Sequence, residues 1–268
     1  MSRYTAIRTC ASGPTVRVDA AAACAVATPS DASPIDEYYD SNERTMLLGT
    51  PEAIAASPQL GRLLLLGHVS AVETYFRTVL VRLLAICPEA RKHAGSAVIP
   101  LSSVYYYTGT DVTFGLFDGV SLAGLSEFKK ALQKSTGYSI DGTAAVAALG
   151  AFDDLCHLRH AAVHAQGSVS SASAMALGVH VDARRFRVEI DFARAQEVAI
   201  VCRSAVQEVN QVLFEKTLAK WHTTRRLTGA YDEDRKTFEV LYRTFRSTRD
   251  PVSKNVRPKD AYEAIFAS

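Results

Sequence analysis

Apolar residues recur at three- and four-residue intervals along two long stretches of this chain, and that periodicity predicts helices. The first runs from Pro51 or Pro58 to Ile86, with apolar positions Leu60, Leu63, Leu64, Val69, Val72, Phe76, Leu80, Leu83 and Leu84 recurring at that spacing. Cys87-Pro88 ends it, because a residue before proline is pushed out of the helical region. The second spans Phe192 to Thr224 and directs Val198, Val201, Cys202, Ala205, Val209, Val212, Leu213 and Trp221 inward. Between them, a helix is predicted from Thr143 to His164, stopped by Gly167-Ser168. Another is predicted over Leu125 to Gln133, with Ser126 as its cap, and Gly137 and Gly142 bound the following loop. Ser33-Pro34 begins a short first helix, and shorter helical segments are predicted at Lys236 to Thr244 and Ala261 to Phe266.

Three segments break this pattern. Residues 1–35, rich in Ala, Ser, Thr and Pro, predict a flexible arm with a short strand at Thr15 to Val18. Residues 91–124 hold Gly, Ser, Pro100 and the run Tyr105-Tyr106-Tyr107, and predict an irregular insertion. The tyrosines could stack on bases, but packing over the core is the reading adopted for them. Arg184 to Phe192 alternates, Phe186, Val188 and Ile190 against Arg185, Arg187 and Glu189, which predicts one strand or an extended connector. Helices dominate, so the fold class is all-α. The division expected is an arm (1–35), a helical domain (36–225, with the insertion 91–124) and a C-terminal helical extension (226–268).

Composition narrows the function classes only a little. A chain of 268 residues that is 48% hydrophobic buries a substantial core. The formal net charge of +2 does not announce nucleic acid. Arginines gather after Arg184, where they form either an RNA-facing patch or a solvated helical surface. Cys10, Cys24, Cys87, Cys156 and Cys202 are scattered without metal spacing, which predicts a reduced, cytoplasmic protein. No apolar run is long enough to span a bilayer. Ala20 to Ala27 lacks the leucine-rich core of a secretory signal and starts too late to be one.

The chemistry concentrates in Leu155-Cys156-His157-Leu158-Arg159-His160-Ala161-Ala162-Val163-His164-Ala165-Gln166-Gly167. Arginine is the permanently charged forked donor suited to phosphate. Histidine exchanges protons near neutrality. Far upstream, Ser70, Glu73 and Arg77 fall on one stripe of the first long helix. Glu73 and Arg77 would either form an intrahelical ion pair or line a cleft.

Both stretches resemble HEPN-domain ribonucleases of the RiboL-PSP-like kind. Their signature is Arg, a polar residue, a short spacer and His, filled here by Arg159, His160 and His164, with Gly167 closing it. Their first long helix carries Ser-x-x-Glu-x-x-x-Arg, filled by Ser70, Glu73 and Arg77. The likeness covers residues 55 to 225. It implies a HEPN-like bundle of long antiparallel helices with an irregular insertion and short C-terminal helices. It also implies a metal-independent endoribonuclease, with no cofactor, that acts on RNA as a homodimer, in toxin–antitoxin, phage-defence or RNA-processing settings, with a regulatory partner or antitoxin. His164 would take the proton of the 2′-hydroxyl, Arg159 would stabilise the charged phosphorane, and His160 would orient RNA or the arginine. The products would be 2′,3′-cyclic phosphate and 5′-hydroxyl ends.

Helical geometry constrains this picture. Arg159 and His164 are five positions apart and point about 140° from each other, at about 100° per residue. Either the helix frays near Val163, or the site is completed across a two-fold axis, as HEPN proteins do. Three other readings compete. Arg159 and His164 could merely pin a helix terminus. The chain could be a non-catalytic helical dimer that binds a partner protein or nucleotide. Last, His157, His160 and His164 share a helix face and could hold zinc, although residues seven apart on one straight helix do not converge on one ion; His157 is read as a partly buried helix residue.

Overall fold

The structure, a computed structural model, describes Cys10, Gly13 and residues 16–28, 30–179 and 184–266. Its contacts divide the chain into two units, Met1–Asp31 and Ala32–Ser268. In the first, the Asp19 carboxylate accepts from the N–H groups of Ala21 and Ala22, forming a turn. Val16, Arg17 and Val18 form no strand, and Thr15 lies outside the described residues.

The second unit is all-α. Among the described residues it holds α1 (Pro34–Leu47), α2 (Pro51–Ala56), α3 (Pro58–Ile86), α4 (Pro88–His93), α5 (Leu101–Tyr106), α6 (Leu125–Thr136), α7 (Ala144–His164), α8 (Ser171–Ala176), α9 (Phe192–Thr223), α10 (Tyr231–Phe245) and α11 (Pro258–Phe266). The periodic stretch beginning at Pro51 is two helices, because Ser57 is extended (φ −143°, ψ 91°) and Pro58 restarts the chain as α3. Ser33 caps α1 through a bond from the Asp36 N–H at 3.4 Å, and Asp191 caps α9 through the Arg194 N–H at 2.8 Å. The cap of α6 is Gly124 rather than Ser126, and the Asp153 carboxylate on α7 accepts from the Leu125 N–H at 3.3 Å. The alternating stretch before α9 is an extended connector, joined to the α7 terminus by one antiparallel bridge between Ser168 and Arg187. Its alternation still sorts the side chains, with Val188 and Ile190 buried and Arg185, Arg187 and Glu189 exposed.

Helix α3, about 43 Å long at about 1.5 Å per residue, is the centre of the bundle. Arg62 meets Gln166, Glu73 meets Arg159 and Phe76 meets Phe152, so α7 runs antiparallel to it. Asn42 meets His68 and Tyr38 meets Tyr75, so α1 is antiparallel as well. Helix α9 runs parallel to α3: Gly61 lies against the Ile190 carbonyl just before α9, and Tyr75 bonds Asn210 at 3.1 Å well along it. A Cβ at position 61 would overlap that carbonyl, which is why the approach needs glycine. Phe76 anchors the core against Phe128 (centroids 4.4 Å apart) and edge-on against Phe152 (5.9 Å).

The stretch after residue 225 packs as part of the same unit. Asn210 donates to the Phe245 carbonyl at 2.8 Å, which ties α9 to α10. Buried Asp36 at the start of α1 accepts from the Ser247 hydroxyl and from the Thr248 N–H (2.9 Å) and hydroxyl (2.7 Å). Buried Asp234 accepts from the Thr228 N–H at 2.7 Å and from the Tyr262 hydroxyl of α11. Each of these carboxylates is saturated with donors, which offsets its desolvation.

Candidate functional site

Helix α7 buries Ala145, Leu149, Phe152 and Leu155 on one side, and its exit is set by backbone geometry. The Ala161 carbonyl accepts from the N–H groups of Ala165 (3.2 Å) and Gly167 (2.9 Å). Gln166 adopts φ +50° and Gly167 φ +93°, a region that suits glycine at the second position. Arg62 of α3 donates to the Gln166 carbonyl at 2.8 Å, and the Val188 N–H to the Gly167 carbonyl at 2.8 Å. The helix is intact through Val163 and does not fray. Its terminus is held by Arg62 and the connector, not by the motif side chains. The sequence offers no signal for Arg62, because it lies 104 residues from its partner.

The two stretches that carry the family resemblance meet in space. Arg159 Nη2 lies 3.5 Å from Glu73 Oε2, the arginine side chain 35% exposed and the carboxylate 15%. The intrahelical Glu73–Arg77 pair is not formed; Glu73 is used between helices instead. Cys156, one turn before Arg159, is largely buried. Burial, with the Asp153 and Glu73 carboxylates adding to it, pushes its thiol up to about 12.

His160 and His164 lie one helical turn apart on solvent, their ring centroids 4.7 Å apart at 47°. Among the described residues neither ring makes a hydrogen bond or ion pair, so neither has a structural duty. They stand to one side of Arg159, which is drawn toward α3. One chain therefore does not aim Arg159 and His164 at a common point, as the 140° divergence expected at about 100° per residue requires.

The remaining sequence candidates separate. Arg77 is half-buried and near enough to Tyr107 to oppose the rise in its hydroxyl pKa that burial and Asp118 cause. Ser70 is exposed and lines a cleft between α1 and α3 with Thr45, Gly67 and Thr74, so it does not join the motif. His157 is half-buried, as expected of it. Among the described residues, no three His, Cys, Asp or Glu side chains converge as a metal site would require.

The insertion corrects one expectation. Tyr107 alone of the three packs inward, stacked on Phe114 and bonded to Asp118 at 3.2 Å, with Tyr106 edge-on against it. Tyr105 and Tyr106 are 83% and 81% exposed, because α5 is too short to bury more than one side. Four of the C-terminal arginines are engaged with carboxylates: Arg194 and Arg243 pair within their own helices, Arg257, just before α11, pairs with Asp260 inside it, and Arg249 pairs with Asp40 and Glu43 of α1. Arg184, Arg185 and Arg187 of the connector are exposed. No helix among the described residues is long and apolar enough to cross a membrane. Compared with known proteins, the chain matches no family model, no curated protein and no solved structure.

Proposed function

We propose that this chain is a HEPN-like, metal-independent endoribonuclease that works as a homodimer. The observation that carries the reading is the convergence of its two family-like stretches: Glu73 holds Arg159 across the α3–α7 interface while His160 and His164 stand free on solvent. A charged pair so placed fixes the guanidinium without hiding it, since a third of the side chain stays exposed. Two exposed imidazoles with no structural partner are suited to proton transfer.

In the proposed reaction, His164 takes the proton of the 2′-hydroxyl, and that oxygen attacks the adjacent phosphorus. The P–O5′ bond breaks, and the leaving oxygen gains a proton from the partner subunit's His164. Arg159 stabilises the charge that builds on the phosphorane, and His160 orients the RNA. The products are a 2′,3′-cyclic phosphate and a 5′-hydroxyl. The divergence of Arg159 and His164 on an intact helix supports a site shared between two chains, since an isologous interface brings two copies of α7 together.

The test is incubation of wild type and His164→Ala with labelled single-stranded RNA in excess EDTA. Cleavage by wild type alone, leaving cyclic-phosphate ends, is the expected result. Proton transfer is worth about 10²–10⁴-fold, so the variant loses nearly all activity. Equal cleavage by both would overturn the assignment of His164. Absence of cleavage by a folded, dimeric wild type would favour the second reading, a non-catalytic helical dimer in which Glu73–Arg159 simply ties α3 to α7.

A further inference from the structure

On the other side of α3, about 140° around the helix from Glu73 at about 100° per residue, a cavity of about 520 Å³ opens between α1, α3 and the start of α9. Its volume falls in the range of small-molecule sites, about 300–1,000 Å³. The floor is buried and mixed in character, with Leu64, His68 and Asn42 beside Tyr39. The rim is exposed and carries Met46, Gln196 and Arg203.

His68 is the least expected group there. Its side chain is 99% out of solvent by residue exposure (1% remaining), yet it keeps one nitrogen without a protein partner. Nδ1 sits 2.8 Å from Asn42 Oδ1. The Asn42 amide nitrogen points at the Met46 sulfur at 3.7 Å, and the Tyr38 hydroxyl donates to the same Oδ1. The amide oxygen therefore faces the imidazole, and Nδ1 must carry the proton. Burial holds the ring neutral by lowering its pKa to about 4. Nε2 is left as a lone-pair acceptor. His68 lines the cavity, and among the described residues Trp221 Nε1 alone is a fully enclosed side-chain nitrogen or oxygen lacking a partner, so Nε2 is not sealed from solvent.

The charges at the rim are unequal in their commitments. Arg249 is paired with both Asp40 and Glu43. Arg203 has no ion pair among the described residues; its guanidinium carbon sits over the Tyr39 ring, 4.8 Å from the centroid. That cation–π contact holds the charge at the exposed rim, where its N–H groups are available to an anion.

We infer that this cavity binds a small amphipathic carboxylate whose apolar body carries an N–H or O–H donor. The donor meets His68 Nε2, the body lies against Leu64, Met46 and Phe192, and the carboxylate reaches Arg203. Nothing in the proposed nuclease chemistry uses any of these residues, so the two assignments stand or fall separately.

Calorimetric titration of the full chain at neutral pH with indole-3-propionate tests this, since that probe holds a ring N–H, an aromatic body and a carboxylate. One saturable site per chain is expected, with Kd below about 1 mM. Replacing the carboxylate by an alcohol, or the indole by 1-naphthyl, which lacks the N–H, should each weaken binding at least about fivefold by leaving a polar group unmatched. Arg203→Gln, a change at the exposed rim that keeps the chain folded by circular dichroism, should weaken the acid at least about fivefold and leave the alcohol unchanged. Met46→Trp should block all three compounds. His164→Ala should bind as wild type. Failure of wild type to saturate, or equal affinity of Arg203→Gln for the acid, would overturn the assignment, as would equal binding of the naphthyl analogue.

Discussion

Neutralising Glu73 is the most direct probe of the junction between α3 and α7. At 3.5 Å the Coulomb attraction to Arg159 is about 1 kcal/mol in water and about 5 kcal/mol at an effective dielectric constant of about 20. The single N–O contact and the 35% exposure of the arginine place the pair nearer the first figure, since solvent screens it and each ion loses hydration. A coupling free energy of about 1 kcal/mol is expected from a double-mutant cycle of Glu73→Gln and Arg159→Gln, read by urea denaturation. The matching cycle of Glu73→Gln with Arg77→Gln should give a coupling near zero, because Glu73 is committed to α7. If the nuclease reading holds, Glu73→Gln lowers kcat with little change in KM, and the loss disappears in the Arg159→Gln background. A coupling larger with Arg77 than with Arg159 would refute the geometry and restore the intrahelical pair as the role of Glu73.

Stability should also report the buried imidazole. The unfolded chain protonates His68 near 6.5, whereas the folded site resists until about 4, so between those values the unfolded state holds more protons and stability falls as pH falls. From pH 7 to 5 the loss is about 2 kcal/mol, and urea midpoints of wild type should show it while His68→Gln does not. Thiol titration without denaturant should modify exposed Cys10 and Cys24 quickly, with buried Cys87 and Cys202 and largely buried Cys156 reacting only on unfolding; fast modification of Cys156 would contradict its placement beside Glu73. Tyr105→Ser with Tyr106→Ser should change stability by less than about 0.5 kcal/mol, because both rings are exposed. If these tyrosines stack on RNA, the same double variant weakens single-strand binding by about 1–3 kcal/mol per base, measured by fluorescence anisotropy; unchanged binding removes them from the interface.

Local rules were sufficient for much of the architecture. The period of Leu64, Val69, Phe76, Leu80 and Leu83 defined α3, and Cys87-Pro88 its end, because apolar spacing and the proline constraint act within a few residues. The stop of α7 at Gly167 was likewise local, resting on a backbone angle of φ +93° that suits glycine. The same rules erred where competition was settled from outside the segment. Gly124, not Ser126, caps α6, and Asp153, a carboxylate 28 residues from Leu125, takes the Leu125 N–H. Tyr105 and Tyr106 stayed on solvent because α5, a helix of six residues, buries only the side that carries Ser103.

The candidate site divides in the same way. Arg159, His160 and His164 were candidates in the sequence through residue chemistry and resemblance to a family motif, not through spacing alone. That Glu73 turns to Arg159 rather than to Arg77, and that Arg62 takes over the helix terminus and leaves the histidines unengaged, depends on how α3 lies antiparallel to α7. His68 shows the limit most sharply. In sequence it is one histidine in an apolar run, and only the packing of α1 against α3 sets Asn42 on its Nδ1, and only the start of α9 encloses the cavity before it. Periodicity decides which side of a helix is buried; it says nothing about which neighbour that side meets, because partners far apart in sequence are chosen by the packing of whole helices.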